Sequence, residues 1–289
     1  MRRAPKHGTH RKLNVASPLV QRAKIFFHQL MAGELNPKML QYHLVEKLLG
    51  RWRGQGGDDF NWSRYHVHYQ GELELASRSR SLVIRPGDYS YSRDRLVRVS
   101  DIPPLHPNVH IIFETILQLK ATSILEVGCG GGDHLHNLRI LQPLIDARGI
   151  DISTQQLELL RRRHPELAYA ATICDVTGPV DRIASADLVY TNAVLMHISS
   201  TGERWQRAVK NLFRLARHHV LLVEDWTKHE YVDYMKQLTP GKDIPWPALY
   251  LYRRPSATPG FPWVLVASHH ALPYDPLESS SQLISVPSD

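Results

Sequence analysis

Cysteine is scarce in this sequence: its 289 residues include only Cys129 and Cys174, and these two are not spaced as metal ligands. The chain also lacks an apolar run of membrane-spanning length and the hydrophobic segment of a secretory signal. Two cysteines without a framework are typical of proteins that keep their thiols reduced. We therefore expect a cytoplasmic protein that spans no membrane.

Acidic residues are absent from the first 24 positions, which carry seven lysines and arginines. The remaining residues carry 28 basic and 28 acidic side chains, so the net charge of +7 belongs to this basic arm. A short segment of one charge sign is typically solvated, and we predict a disordered arm over residues 1–24. Phosphate binding and mitochondrial targeting are the alternatives for the arm.

A complete dinucleotide fingerprint is also missing, because Asp133 stands where the pattern G-x-G-x-x-G requires its last glycine. The apolar run 123–127 enters a glycine cluster at 128–132, and a helical pattern resumes at His134. This order predicts a buried parallel strand, a tight turn and the start of a helix. Glycine permits positive φ and close approach of a ligand, and the helix start favours a negatively charged group.

The segment Glu126-Val127-Gly128-Cys129-Gly130-Gly131-Gly132 resembles motif I of the class I S-adenosylmethionine-dependent methyltransferases. The resemblance covers roughly residues 109–270. It implies that the backbone of Gly128 and Gly130 lies against the methionine part of S-adenosylmethionine. It also implies that Glu126 helps to hold the amino group of this cofactor.

Further cofactor contacts are expected where the next strands end. Asp151 ends a short strand roughly twenty residues past the glycines, which is where an acid meets a ribose. Ser153 and Gln156 form a capping-box pattern, so the next helix should begin at Ser153. By the family resemblance, Asp175 contacts the adenine amino group and the Val176 amide contacts the ring. Asn192, at the end of the fourth strand, completes the expected set.

The resemblance and the periodicity together predict an α/β fold with a Rossmann-like, doubly wound, mostly parallel sheet of seven strands. A C-terminal antiparallel hairpin closes the sheet, and the N-terminal extension is partly helical, with a helix over 23–50. We expect an accessory or lid region over 25–108, a methyltransferase core over 109–270 and a loose tail over 271–289. A further short strand is predicted at 81–84. Tyr89 and Tyr91 after it either line a substrate mouth or cover the core.

A placed base indicates which acceptor a methyltransferase uses, because a hydroxyl must lose a proton during transfer. His197 lies five residues past Asn192, at the end of the sheet where ligands bind, and is the predicted general base. Helix capping or packing is its alternative role. Glu224 and Asp225 should open into the same crevice. With His229 they have a spacing that recurs by chance, so we predict no metal.

The Asn/Asp-Pro-Pro-Tyr/Phe motif of base-amine methylases is absent, since Asn192 is followed by Ala193-Val194-Leu195. The neutral body also disfavours nucleic acid as a partner. Residues 191–198, with Glu224-Asp225-Trp226, resemble methylases of sugar and surface-glycan biosynthesis. We predict O-methylation of a small-molecule or glycan-like acceptor. An RNA methyltransferase that uses the basic arm, or a non-catalytic partner subunit that binds the cofactor, is the alternative.

Overall fold

The computed structural model describes residues 83–199, 202–226, 228–254, 264–272 and 283–286. The predicted basic arm, the helix expected over 23–50 and most of the predicted accessory region lie outside these ranges. The division into an arm, an accessory region, a core and a tail therefore stays a prediction.

Within these ranges the chain forms ten strands and five α-helices. The strands are β1 (Tyr89–Ser92), β2 (Arg95–Arg98), β3 (Ser123–Val127), β4 (Asp146–Asp151), β5 (Ala171–Ile173), β6 (Ala186–Asn192), β7 (Ala216–Val223), β8 (Leu249–Arg254), β9 (Val264–Ser268) and β10 (Leu283–Val286). The helices are α1 (Pro107–Gln118), α2 (Asp133–Leu141), α3 (Thr154–Arg163), α4 (Arg204–Leu215) and α5 (Tyr231–Lys236). Short 3-10 turns occupy Pro165–Leu167 and Leu195–His197.

The main sheet has the strand order β10-β8-β9-β7-β6-β3-β4-β5. Strands β5, β4, β3, β6 and β7 are parallel, whereas β9 pairs antiparallel with β7 and β8 pairs antiparallel with β9. These seven strands confirm the predicted sheet and its C-terminal hairpin. An eighth strand, β10, pairs with β8 and comes from the segment expected to be a loose tail. That expectation was wrong for residues 283–286.

Both faces of the sheet are buried, which explains why β3 is an uninterrupted run of buried residues. Successive side chains of a strand point to opposite faces, so Ile124 and Leu125 belong to different hydrophobic clusters. Residues of α1, α2 and α3 join the cluster around Ile124. Residues of α4 and α5 join the cluster around Leu125. The fold is therefore doubly wound, as predicted.

Of the strand expected at 81–84, the described residues Val83 and Ile84 are not in a strand, and the hairpin β1–β2 follows them. Tyr89 is buried in the cluster around Ile124, and its hydroxyl accepts a hydrogen bond from the Leu105 amide at 2.8 Å. Tyr91 donates to Asp94 at 3.2 Å. Tyr89 therefore covers the core, which is one of the two roles considered for these tyrosines.

The helix starts follow from local sequence. Ser153 caps α3, where its hydroxyl accepts from the Gln156 amide at 3.3 Å, as the capping pattern predicted. Strand β5 has only three residues, because the chain before it makes the 3-10 turn at Pro165–Leu167. None of the helices in the described part of the chain is both long and apolar enough to cross a membrane.

Candidate cofactor site

A cavity opens at the carboxyl ends of β3, β4 and β6, which is where open α/β sheets bind ligands. Seven of the predicted site residues line it: Gly128, Gly130, Asp151, Asp175, Val176, Asn192 and His197. Glu126 lines an adjoining cavity, which shares Gly128, Gly130 and Asn192 with the first. The fold therefore brings all eight predicted residues to one place.

The glycine turn is shaped by close packing at its first residue. Gly128 has a φ of +78°, and a Cβ there would lie 2.3 Å from Val194 Cγ2. The amides of Gly128 and Cys129 donate to the Ile150 carbonyl at 2.7 and 3.1 Å, which ties the turn to the end of β4. A Cβ on Gly130 would meet only Gln156, at 3.7 Å, within the space that these two residues line. The turn thus presents bare backbone to the cavity.

Asp151 is joined to this turn through its carboxylate. Oδ2 accepts from the Gly130 amide at 2.9 Å, and Oδ1 accepts from the Ser153 amide at 2.8 Å. Burial raises the pKa of Asp151 above its ordinary value, although the Ser153 and Gly130 amides favour its charged form. Each carboxylate oxygen has two lone pairs, so both oxygens retain capacity for a further donor such as a ribose hydroxyl.

Glu126 is buried on β3 and is bonded to a residue that the sequence analysis missed. His134 Nδ1 donates to Glu126 Oε1 at 2.7 Å. Burial opposes a charged imidazole, but the Glu126 carboxylate outweighs it and raises the pKa of His134. His134 is the second residue of α2, so its place in the first turn after the glycines was the available signal.

The second oxygen of Glu126 provides a test of whether the site fits S-adenosylmethionine. Oε2 is buried and has no hydrogen bond of ordinary geometry among the described residues, although the buried Tyr190 hydroxyl lies close enough to Glu126 to interact with it. A buried carboxylate oxygen without a donor is costly, and an ammonium group in the adjoining cavity would satisfy it. The bare glycine backbone and the remaining acceptor capacity of Asp151 suit the other polar parts of the same molecule. The residues present therefore fit this cofactor.

Asp175 and Val176 lie on the loop after β5. Asp175 Oδ1 accepts from the amide and the hydroxyl of Thr177, at 2.9 and 2.8 Å. Its Oδ2 lies 3.6 Å from Arg204 Nη2, an arginine of α4 that lines the cavity and was not predicted. The Asn211 side-chain amide donates to the Val176 carbonyl at 2.8 Å, which fixes this loop against α4.

The loop after β6 is held from beneath by Glu224, which corrects the expectation that this carboxylate opens into the crevice. Glu224 is 1% exposed, and its oxygens accept from the amides of Val194 and Met196, each at 3.1 Å. Burial raises the pKa of Glu224 to about 7, although the backbone amides favour the charged form. Its position was predictable from the end of β7, but its burial depended on the packing of the loop above it.

His229 holds the same loop from another side. Its Nε2 lies 3.2 Å from the Leu195 carbonyl and 3.1 Å from the Ile198 carbonyl, so this nitrogen must carry the donated proton. The ring stacks on Trp205 with a centroid distance of 4.8 Å. Glu224 and His229 thus bond the loop backbone. The atoms that make these hydrogen bonds are therefore not available as metal ligands.

The loop places His197 in the cavity, on the 3-10 turn Leu195–His197. Burial, followed by the positive charge of Lys228, lowers the pKa of His197 to about 4, and Asp225 acts in the opposite direction. The imidazole is therefore uncharged at neutral pH. An uncharged imidazole can accept a proton, which is the state that a general base requires.

Residues 125–223 match the family model described as "Methyltransferase domain". The matched segment runs from β3 to β7 and contains the glycine turn, Asp151 and the loop that bears His197. This segment is therefore a methyltransferase domain, for which S-adenosylmethionine is the expected cofactor. No curated protein matches the chain.

Solved structures of other methyltransferases are similar to part of the chain. The methyltransferase domain of bacterial CtHen1 is 16% identical, with a TM-score of 0.45, over 56% of this chain and 97% of that one. Magnesium protoporphyrin IX methyltransferase from Synechocystis PCC 6803 is 18% identical, with a TM-score of 0.41, over 56% and 77%. The amino pentose methyltransferase CalS10 from Micromonospora echinaspora is 21% identical, with a TM-score of 0.36, over 42% and 51%. Similarities at this level do not define the acceptor of this chain.

Proposed function

We propose that this methyltransferase acts on a hydroxyl group of a small-molecule or glycan-like acceptor, with His197 as its general base. The observation that carries the proposal is the position of an uncharged imidazole in the cofactor cavity, at the end of β6. Amine acceptors that are already neutral and carboxylate acceptors need no such base, whereas a hydroxyl does.

The cofactor contacts in this proposal are assigned to Glu126, the backbone of Gly128 and Gly130, and the side chains that end β4, β5 and β6. Those side chains belong to Asp151, Asp175 and Asn192, and the backbone amide of Val176 completes the set. When bound, S-adenosylmethionine supplies a methyl group carried by a positively charged sulfur. The sulfur is the leaving group, and it departs without being protonated.

His197 would take the acceptor proton as the new carbon–oxygen bond forms. Its low pKa keeps the imidazole uncharged across the neutral range but also makes it a weak base. Two features offset this weakness. The proton needs to leave only while the hydroxyl oxygen is losing electron density, and the nearby Asp225 carboxylate stabilises the imidazolium that results. Glu224 and His229 act as positioning residues, because they hold the loop backbone on both sides of His197.

The proposal is tested by measuring S-adenosylhomocysteine release from hydroxylated sugars, small phenols, amines, carboxylates and RNA, with the methylated atom identified by NMR. We expect an O-methyl product from a small acceptor. His197→Asn should lower kcat by about 10²–10⁴-fold, the usual contribution of a general base, while its affinity for S-adenosylhomocysteine stays near that of the wild type.

Three results would overturn this assignment: wild-type turnover by His197→Asn, a product methylated only at nitrogen or carbon, or turnover restricted to RNA. His110→Asn is a matched control, because His110 lies on α1 and its Nε2 donates to the Leu96 carbonyl at 2.8 Å, away from the cavity lining. Loss of turnover in both variants would indicate a general effect of histidine removal. The cytoplasmic location expected from the sequence stays a prediction.

A further inference from the structure

Three side chains that commonly bind metals meet outside the two cofactor cavities. They are His136 on α2, His164 directly after α3 and Glu166 in the 3-10 turn that follows. One nitrogen of each imidazole and one carboxylate oxygen all lie within 4.8 Å of one another. None of the three lines either cofactor cavity. Almost thirty residues separate His136 from the other two, so sequence spacing gave no sign of the group.

The contacts within this group centre on one carboxylate oxygen. Glu166 Oε1 accepts from His136 Nδ1 at 2.7 Å and lies 3.7 Å from His164 Nδ1. The two imidazole rings are stacked, with centroids 4.5 Å apart and planes at 24°. The backbone beneath them is fixed, since the Leu167 amide donates to the His164 carbonyl at 2.8 Å and Arg139 Nη1 contacts the Glu166 carbonyl at 3.4 Å.

His164 is oriented by a buried carboxylate on its far side. Its Nε2 lies 2.7 Å from Asp133 Oδ1, and the ring is 3% exposed. Because a carboxylate only accepts, Nε2 carries a proton and Nδ1 of the neutral ring is an unprotonated nitrogen that faces Glu166. Asp133 is fixed in turn by Arg163, at 2.8 Å from Oδ2. A carboxylate behind a histidine in this way sets the tautomer and the ring direction that metal ligands require.

We propose that His136, His164 and Glu166 form a binding site for a divalent transition metal of the zinc type. Two imidazole nitrogens and one carboxylate oxygen are a donor set that zinc prefers, and a water molecule would complete four ligands. Ligands of tetrahedral zinc at about 2.0–2.1 Å lie about 3.3 Å apart, so Glu166 must retreat slightly from His136, and donor atoms that are now up to 4.8 Å apart must approach one another. The Glu166 side chain is 50% exposed and has room to do so.

The metal would take the place of the proton that His136 now donates to Glu166. It would join α2 to the turn after α3. Its ligand His164 also bonds Asp133, which is the first residue of α2 and follows the glycine turn directly. The site therefore braces the unit that carries the cofactor turn, and methyl transfer itself does not require it. This inference is independent of the acceptor assigned above.

The test is calorimetric titration of Zn²⁺ into the full-length chain after removal of metals with a chelator. We expect Glu166→Gln and His136→Asn each to lose one zinc site of the wild type, or to weaken it at least about tenfold. His110→Asn is the matched control, since His110 Nε2 donates to the Leu96 carbonyl at 2.8 Å and does not belong to the group. This control should keep the site. Zinc should also raise the unfolding temperature of the wild type more than that of Glu166→Gln.

The proposal is overturned if both ligand variants bind zinc with the stoichiometry and affinity of the wild type, or if the wild type binds none. Glu166→Gln retains a side-chain oxygen for His136, so it should fold normally without metal, which metal-free unfolding curves would verify. X-ray absorption of the zinc-loaded wild type supplies a second readout. It should show nitrogen and oxygen neighbours including two imidazoles, and a sulfur ligand would contradict the assignment.

Discussion

The Asp151 carboxylate accepts a hydrogen bond from the Gly130 amide at 2.9 Å, across the gap between the end of β4 and the glycine turn after β3. The acid predicted to meet the ribose therefore also sets the shape of the turn predicted to meet the methionine part of the cofactor. Its second oxygen caps the Ser153 amide at the approach to α3. A substitution at Asp151 should thus disturb both halves of the cofactor site.

We predict that Asp151→Ala weakens binding of S-adenosylhomocysteine by on the order of 1–3 kcal/mol, because ligand and turn contacts are both lost. Isothermal titration calorimetry measures this directly. Asp146→Ala is the matched control, since Asp146 lies at the other end of β4 and pairs with Arg148 at 3.0 Å. Equal affinities for the wild type and Asp151→Ala would contradict the assignment.

Gly128→Ala should destabilise the fold more than the same change at a glycine of similar backbone conformation. Gly128 and Gly241 have φ values of +78° and +74°, but only at Gly128 would the new Cβ meet a neighbour, 2.3 Å from Val194 Cγ2. Gly241→Ala should cost about 1–2 kcal/mol for its backbone alone. Gly128→Ala should cost about 1–3 kcal/mol more through overpacking.

Denaturant unfolding of both variants gives these free energies. The double variant Gly128→Ala, Val194→Ala should recover part of the extra cost, because it removes the methyl groups that the new Cβ would strike. If Gly128→Ala and Gly241→Ala have equal effects, the close approach of Val194 does not shape the turn.

Glu224 should make the stability of the fold fall as pH rises through the weakly acidic range. Its folded pKa of about 7 lies above the ordinary value of 4.5, so the folded state holds the proton more tightly than the unfolded chain. The stabilisation is complete below the ordinary value and is lost by about pH 7. The total is on the order of 3 kcal/mol.

The measurement compares the free energy of unfolding of the wild type and Glu224→Gln between pH 4.5 and 8. Histidines titrate in the same window, but they contribute to both proteins and cancel in the difference. We expect the wild type to lose stability relative to Glu224→Gln as pH rises. A difference that stays constant with pH would mean that Glu224 is not protonated in the folded protein near neutrality.

The order of the strands and the position of the candidate cofactor residues were predictable because each rests on local sequence. A glycine turn after an apolar run, a capping serine and an acid at a strand end need no knowledge of distant parts of the chain. Gly128, Asp151 and Ser153 were found in this way, and the structure places them in one network.

What sequence reasoning missed depends on contacts between distant segments. Glu224 was expected in the crevice, but the loop after β6 folds over it and buries it. Arg204 reaches the cavity from α4, which lies on the face of the sheet opposite α2 and α3. His134 meets Glu126 only because α2 begins beside β3. The approach of His136 to His164 likewise depends on how α2 packs beside the turn after α3.

Removal of residues 1–24 separates the proposed small acceptor from RNA. This arm carries the whole net charge of +7, and the rest of the chain has equal numbers of basic and acidic residues. We predict that the truncated chain keeps its kcat/KM on a small hydroxylated acceptor. If RNA were the substrate, loss of seven basic residues should reduce the slope of log affinity against log salt by up to about 5 for single strands, and turnover should collapse.

A second variant, in which the seven lysines and arginines of the arm become glutamine, distinguishes charge from chain length. Under the small-acceptor proposal, both variants should match the wild type in steady-state assays, because neither changes the cavity that contains His197. RNA methylation that disappears in both variants while cofactor affinity persists would overturn that proposal, since electrostatic attraction to phosphates is what the two variants have lost in common.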